Sequence, residues 1–178
     1  MNVVRCANAV GALPVVQQSC CCGLTQCCSC VNLTFLKTTE GMLKLAEIIL
    51  GMICQNLLIG YGVTYSMSLG SSYYSFLTAV SASLLTSVVL LICYMVSTKS
   101  FQLIRQSLFE ILFNGIASFL YLTSSSYLAF ATYTFLYPVY KLTSIFQVYP
   151  AMSTTYVLGF VTGIVHGYDG WLAYKSYH

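Results

Sequence analysis

Acidic side chains are almost missing from this chain: Asp and Glu together number 4, Lys and Arg 7, and charged residues make up 6% of the whole. A soluble domain carries about a quarter charged residues, so a chain this poor in them cannot clothe a surface that faces water. Proline is scarce, at 3, and neither proline nor glycine clusters, so no flexible linker divides the 178 residues and the length suits one domain. Runs of Lys or Arg are absent, and a net charge of +3 scattered along the chain excludes a nucleic-acid surface. No solenoid repeat occurs. P-loop, GxGxxG and HExxH patterns are missing, and His166 and His178 alone cannot form a metal triad. With no nucleophile–base–acid set either, the expected catalytic, cofactor and metal residues are none. An enzyme is not expected, nor a small-molecule substrate.

What the chain has in excess is apolar length. Hydrophobic residues are 58% of it, and they gather in four runs near 43–63, 73–95, 108–130 and 152–172. Each is close to or above the ~20 residues that cross a hydrocarbon core at ~1.5 Å per residue. Inside lipid the backbone must satisfy its own hydrogen bonds, so each run reads as a helix. The expected fold is an all-α membrane protein, a four-transmembrane-helix antiparallel bundle, with the lipid bilayer as its first partner.

Four spans put both termini on one side. That side holds Arg5, Lys37, Lys44, Lys99, Arg105 and Lys175, and the other holds Lys141. The positive-inside rule therefore places the N and C termini in the cytoplasm, in a multi-pass protein of the plasma membrane or vesicles. Tyr61, Tyr65, Tyr73, Tyr74, Tyr133 and Tyr137 mark the outer interface, and Tyr168, Trp171 and Tyr174 the inner one. The sequon Asn32-Leu33-Thr34 falls on the cytoplasmic side and is expected to stay unmodified.

Residues 1–38 differ from the rest and read as a flexible cytoplasmic tail, with the membrane domain in 39–178. The tail holds seven of the 9 cysteines. Pro14, Gln17 and Gln18 interrupt any signal-peptide core. Cys20, Cys21, Cys22, Cys27, Cys28 and Cys30 lie in a reducing compartment, which disfavours disulfides. They are candidate palmitoylation sites, since cytoplasmic thiols near a membrane helix are common acceptors. Zinc held through the Cys22–Cys27 and Cys27–Cys30 spacings is the alternative, although two separated CxxC knuckles are lacking.

Lipid tails are as apolar as leucine, so close backbone approach and interhelical hydrogen bonds must hold the helices together. In the fourth run Ala151, Thr155, Gly159, Gly163 and Gly167 recur every four residues as one smooth ridge. Such a helix-packing face serves either the bundle itself or contact with a second copy or another membrane protein. The second run repeats the pattern with Ser75, Ala79, Ser83 and Ser87.

Charge within a bilayer costs at least ~2.5–3.5 kcal/mol per group on insertion scales. Lys44, Glu47, Glu110, His166 and Asp169 nevertheless fall within the runs, all about one turn inside the cytoplasmic surface, with Lys99 and Arg105 bordering that level. This intramembrane polar layer is expected to be mutually satisfied, Lys44 pairing with Asp169 or Glu110 and Gln106 or Asn114 bonding nearby. A proton or ion pathway would need to continue across the membrane, where the outer half offers neutral groups such as Gln55, Thr64, Ser124–Ser126 and Thr132.

Three segments together resemble the MARVEL-domain family of four-span membrane proteins. Phe35–Glu47 is similar to its opening, with a basic stretch, a small residue and an early acid; Phe109–Ser124 is similar to its third helix, with the Tyr-Leu-Thr-Ser end; Gly163–Tyr174 is similar to its fourth, with Asp169 followed by Gly170 and an aromatic end. The likeness covers about residues 35–175, and the short cysteine-free outer loops look most like the chemokine-like-factor and MAL-like branch. It implies a MARVEL-like tetraspan that organises membranes in vesicle trafficking, apposition or junction assembly. Arthropod members of the singles bar type are linked to membrane events before myoblast fusion, and the size and plan fit that type. The rival expectations are a small ion or proton transporter and an accessory subunit of a larger membrane complex.

Overall fold

The computed structural model describes residues 33–143 and 147–177. Thr38 opens the first helix. Its backbone is extended, and its hydroxyl accepts from Gly41 N–H at 3.2 Å while donating to Phe35 C=O at 2.7 Å. Such a cap satisfies a donor the helix leaves unpaired. Helix α1 (Thr39–Leu57) runs on through one π-helical turn, Leu58–Gly62, a 3₁₀ turn, Val63–Tyr65, and the short α2 (Ser66–Leu69). Gly70 reverses the chain at φ +58°, the only positive φ among the described residues, where a side chain would be strained. Helix α3 (Ser71–Val96) then returns, and Ser97 caps the amphipathic α4 (Thr98–Arg105) by accepting from Ser100 N–H at 3.2 Å. Helix α5 (Leu108–Ala131) also ends in a π turn, Thr132–Leu136, before α6 (Tyr137–Leu142). Helix α7 (Val148–Tyr177) carries Pro150 in its first turn, where its missing N–H costs nothing.

Four helical stretches, Thr39–Leu69, Ser71–Val96, Leu108–Leu142 and Val148–Tyr177, are long and apolar enough to cross a membrane. They alternate in direction. The start of α1, the end of α3, the start of α5 and the end of α7 meet at one end of the bundle, here the terminal end. The hairpin end carries the turns around Gly70 and after Leu136. The helices outrun the apolar runs because hydropathy falls at polar residues while backbone hydrogen bonding does not. Residues 33–37, expected to lie in the tail, form a 3₁₀ turn against the bundle. Phe35 is buried and packs edge-on against Tyr94 at 5.5 Å and beside Phe101 at 5.0 Å. The folded body therefore starts ahead of the boundary drawn at 38. The six candidate lipidation cysteines and Asn32 lie outside the described residues.

The surface is apolar and the interior holds much of the charge. Leu85, Phe119, Phe130 and Ile164 are each about two-thirds exposed, which suits acyl chains as solvent. Exposed hydroxyls bond back to their own helix, as Thr78 to Tyr74 C=O and Thr123 to Phe119 C=O, both at 2.8 Å. One apolar core, including Cys54, Leu58, Phe76, Val80, Leu128, Leu136 and Met152, fills the hairpin half. A second, with Phe35, Ile48, Leu90, Leu91 and Tyr94, lies at the terminal end.

The glycine ridge of α7 faces α5. A Cβ at Gly163 would stand 3.1 Å from Leu122 and 3.2 Å from the Tyr121 Cβ, one at Gly167 would stand 3.1 Å from Ser118 Oγ, and one at Gly159 would run into Ser125 and Phe76. Ser118 Oγ donates to Gly163 C=O at 2.7 Å across this seam. The ridge is thus covered within the bundle, and a partner helix must use another face. Gly115, on α5, has open space around its Cβ position. Gly115→Ala should leave the fold intact and raise its stability by up to about 1 kcal/mol, through helix propensity alone; an unfolding titration in detergent checks this.

Candidate functional site

Helical spacing brings the polar groups of each helix onto one face before tertiary contacts bring the helices together. Lys44 and Glu47 sit at i, i+3 on α1, and His166 and Asp169 at i, i+3 on α7. Glu110 lies in the first turn of α5, where the helix dipole favours an acid. At the terminal end these faces converge. Lys44 Nζ lies 2.7 Å from Asp169 Oδ2, 3.1 Å from Glu47 Oε2 and 3.6 Å from Glu110 Oε1, and donates to Asn114 Oδ1 at 3.1 Å. The lysine, the three acids and Asn114 are all buried.

A second cation completes the cluster. Arg105 ends α4, and its Nη1 lies 2.8 Å from Glu110 Oε1 and 2.8 Å from Asp169 Oδ1. Burial opposes its charge, but Asp169 and Glu110 outweigh burial and hold it above the ordinary arginine range, so the guanidinium is charged at any accessible pH. The sequence assigns Arg105 to a cytoplasmic loop; in the structure it folds back into the bundle. The available signal was the pattern of α4, where Phe101 and Ile104 pack on the terminal core and carry Arg105 with them.

Asn114 fixes the orientation of its neighbours. Its Nδ2 donates to Asp169 Oδ2 at 2.9 Å, so Oδ1 is the acceptor that faces Lys44 and, at 3.1 Å, His166 Nδ1. His166 Nδ1 also lies 3.2 Å from Glu47 Oε1. Two acceptors around one ring nitrogen place a hydrogen on Nδ1. The ring stacks on Tyr121 at 5.5 Å and meets Phe113 edge-on at 5.8 Å. Two cations, Lys44 and Arg105, thus face three carboxylates. Ser87, read in the sequence as part of a small-residue ridge, donates to Glu47 Oε2 at 2.9 Å and ties α3 to the cluster. Ser87→Ala should cost about 1 kcal/mol, read as a lowered midpoint of unfolding in detergent.

The arrangement locks helices together. Each of the three buried acids has a cation partner, α1, α4, α5 and α7 each supply an ionic group, and α3 supplies a hydroxyl. Among the described residues, no group of three or more His, Cys, Asp or Glu side chains is disposed to hold a metal ion.

Residues 35–172 match MARVEL, the membrane-associating domain. The chain belongs to the MARVEL family. The MARVEL match takes in three of the membrane-spanning stretches whole, the fourth as far as residue 172, and every residue of the charge cluster. Among curated proteins, the chain is 43% identical over 164 residues to Protein singles bar of Drosophila melanogaster, covering 92% of both chains. No solved structure matches it significantly. This MARVEL chain is therefore a membrane-associated multi-pass protein with an all-helical tetraspan fold.

Proposed function

We propose that the protein is a non-enzymatic organiser of membranes, acting in vesicle trafficking, membrane apposition or cell–cell fusion of the myoblast type. The observation that carries this reading is the likeness to singles bar along 92% of both chains, within the MARVEL family. The geometry supports it. The ionic groups are spent on one another at the terminal end, and among the described residues the interior beyond them holds Cys54, Leu58, Phe76, Val80 and Leu128 with neutral hydroxyls such as Ser125, Thr132 and Thr155, and no charged side chain. The terminal end would face the cytoplasm, by the distribution of Lys and Arg. The cysteine-rich segment would then carry acyl chains that bias the protein toward particular membrane regions.

Loss of the protein in the animal that encodes it, with a tagged copy followed in the same cells, tests the proposal. The expected result is a tagged copy concentrated where membranes meet, and fewer fused cells or stalled vesicles after loss. Normal fusion and traffic would overturn it. Proton or ion flux in proteoliposomes, abolished by Glu47→Gln or Asp169→Asn, would point to a transporter instead. Replacing Cys20, Cys21, Cys22, Cys27, Cys28 and Cys30 with serine should reduce acyl incorporation and redistribute the protein; unchanged palmitate labelling would count against that part of the reading.

A further inference from the structure

Helices α3 and α5 do not close against each other at the hairpin half. Between them lies a cleft of about 630 Å³, flanked by Ser71, Ser75 and Thr78 on α3 and by Thr123 and Tyr127 on α5. A narrower extension of about 170 Å³ continues toward the terminal end and shares Ala82 and Leu120 with it. Along α3 the two parts run from Ser71 to Thr86, roughly 22 Å at the helical rise. Thr78, Ala82 and Thr123 are exposed, so the cleft opens on the surface that faces lipid.

The dimensions favour a slender occupant. The wider part extends over roughly 16 Å of α3, which gives a mean cross-section of roughly 40 Å². A helix with its side chains is ~10 Å across and needs about twice that, so a second copy's helix cannot enter the cleft fully. A hydrocarbon chain can. The lining agrees: no Asp, Glu, Lys or Arg borders the cleft, and Thr78, Thr86, Thr123 and Ser124 already donate to their own helices. The walls therefore offer hydrocarbon to most of the occupant's length and recognise no headgroup charge.

The mouth offers one hydrogen bond. Ser71 Oγ and Tyr127 OH share a 2.6 Å bond across the cleft. Each hydroxyl has a single hydrogen, so whichever accepts keeps its own hydrogen to donate outward. We propose that this cleft holds one acyl chain of a glycerophospholipid from the leaflet at the hairpin end, its ester carbonyl accepting from the Ser71–Tyr127 pair. Ester carbonyls lie at the boundary between headgroup and hydrocarbon, where this pair sits at the end of α3. The bound chain would fill the seam between α3 and α5 that the protein leaves open.

The full chain, reconstituted in phosphatidylcholine bilayers doped with a phosphatidylcholine bearing a diazirine on one acyl chain, tests this. After illumination, adducts should concentrate on residues 78–86 and 116–124. Ala82→Phe, at an exposed position shared by both parts, should remove most of them and leave labelling at Phe130 and Ile164 unchanged. The variant Ser71→Ala with Tyr127→Phe adds no bulk and should lower cleft labelling about fivefold, the worth of one lost hydrogen bond. Adducts spread evenly over the exposed residues of the wild-type chain would overturn the proposal without recourse to any variant. So would cleft adducts that vanish when a sterol is added, which would make the sterol the occupant, or chain-to-chain crosslinks at 78–86, which would make it a second copy.

Discussion

Replacing Lys44 with methionine should cost the fold about 3–5 kcal/mol, the penalty for breaking a buried ionic network from one side. Methionine matches the length of the stem, so the loss is electrostatic rather than one of volume. Without Nζ, three carboxylates remain and Arg105 alone opposes them. Arg105 reaches Glu110 and Asp169 but not Glu47, which keeps contacts only with Ser87 and His166. The groups are buried, so solvent can take up little of the surplus charge. Denaturant titration in a mild detergent, followed by circular dichroism, reads the effect as a lower midpoint. Removing one acid as well should restore part of it: Lys44→Met with Glu47→Gln is expected to be more stable than Lys44→Met alone, with a coupling of at least about 1 kcal/mol. Wild-type stability for Lys44→Met would show that the cluster does not hold the helices.

Gly159→Val should be nearly as damaging, at about 3 kcal/mol, for a steric reason. A Cβ at this position would collide with Ser125 Oγ and stand 2.6 and 2.9 Å from two atoms of the Phe76 ring. Phe76 and Ser125 are fully buried, so neither can move aside without opening the hairpin-half core. Helices α5 and α7 must separate, and the Ser118–Gly163 hydrogen bond lies in the same seam. Overpacking a filled interior typically costs ~1–3 kcal/mol, and a β-branched residue at a backbone contact belongs at the upper end. The expected result is a lower unfolding midpoint with faster proteolysis at the α5–α7 seam. Phe76→Leu placed in the milder Gly159→Ala background should recover part of the loss, because it removes the ring that the Cβ meets. If Gly159→Val unfolded like the wild type, the seam would not be close-packed.

Much of the architecture was legible because membranes simplify the code. Four apolar runs of sufficient length can become only helices in lipid, and their number fixes the antiparallel alternation. That Lys44, Glu47, Glu110, His166 and Asp169 share one end of the bundle followed by counting residues from the ends of those runs. The glycine spacing in α7 declared a smooth face but not its neighbour. Either a second copy or another helix of the same chain can cover such a ridge, and the choice depends on how α7 is rotated, which a repeat of four does not encode. The same gap explains Arg105. A basic residue near a predicted turn reads as a loop charge, and only the packing of α4 on Phe35 and Tyr94 carries it inward. Ser87 was readable as small but not as a donor to Glu47, since that bond joins residues 40 apart in sequence.

The amino-acid order alone determined the solvent, the helix count, the alternation of the spans and the end of the bundle at which charge gathers, because each follows from length, hydropathy and a fixed rise per residue. Tertiary structure decided which cation meets which acid, which helix covers the glycines and where a seam stays open. These depend on the rotation and tilt of each helix about its axis, and those are set by side-chain packing among all four spans at once.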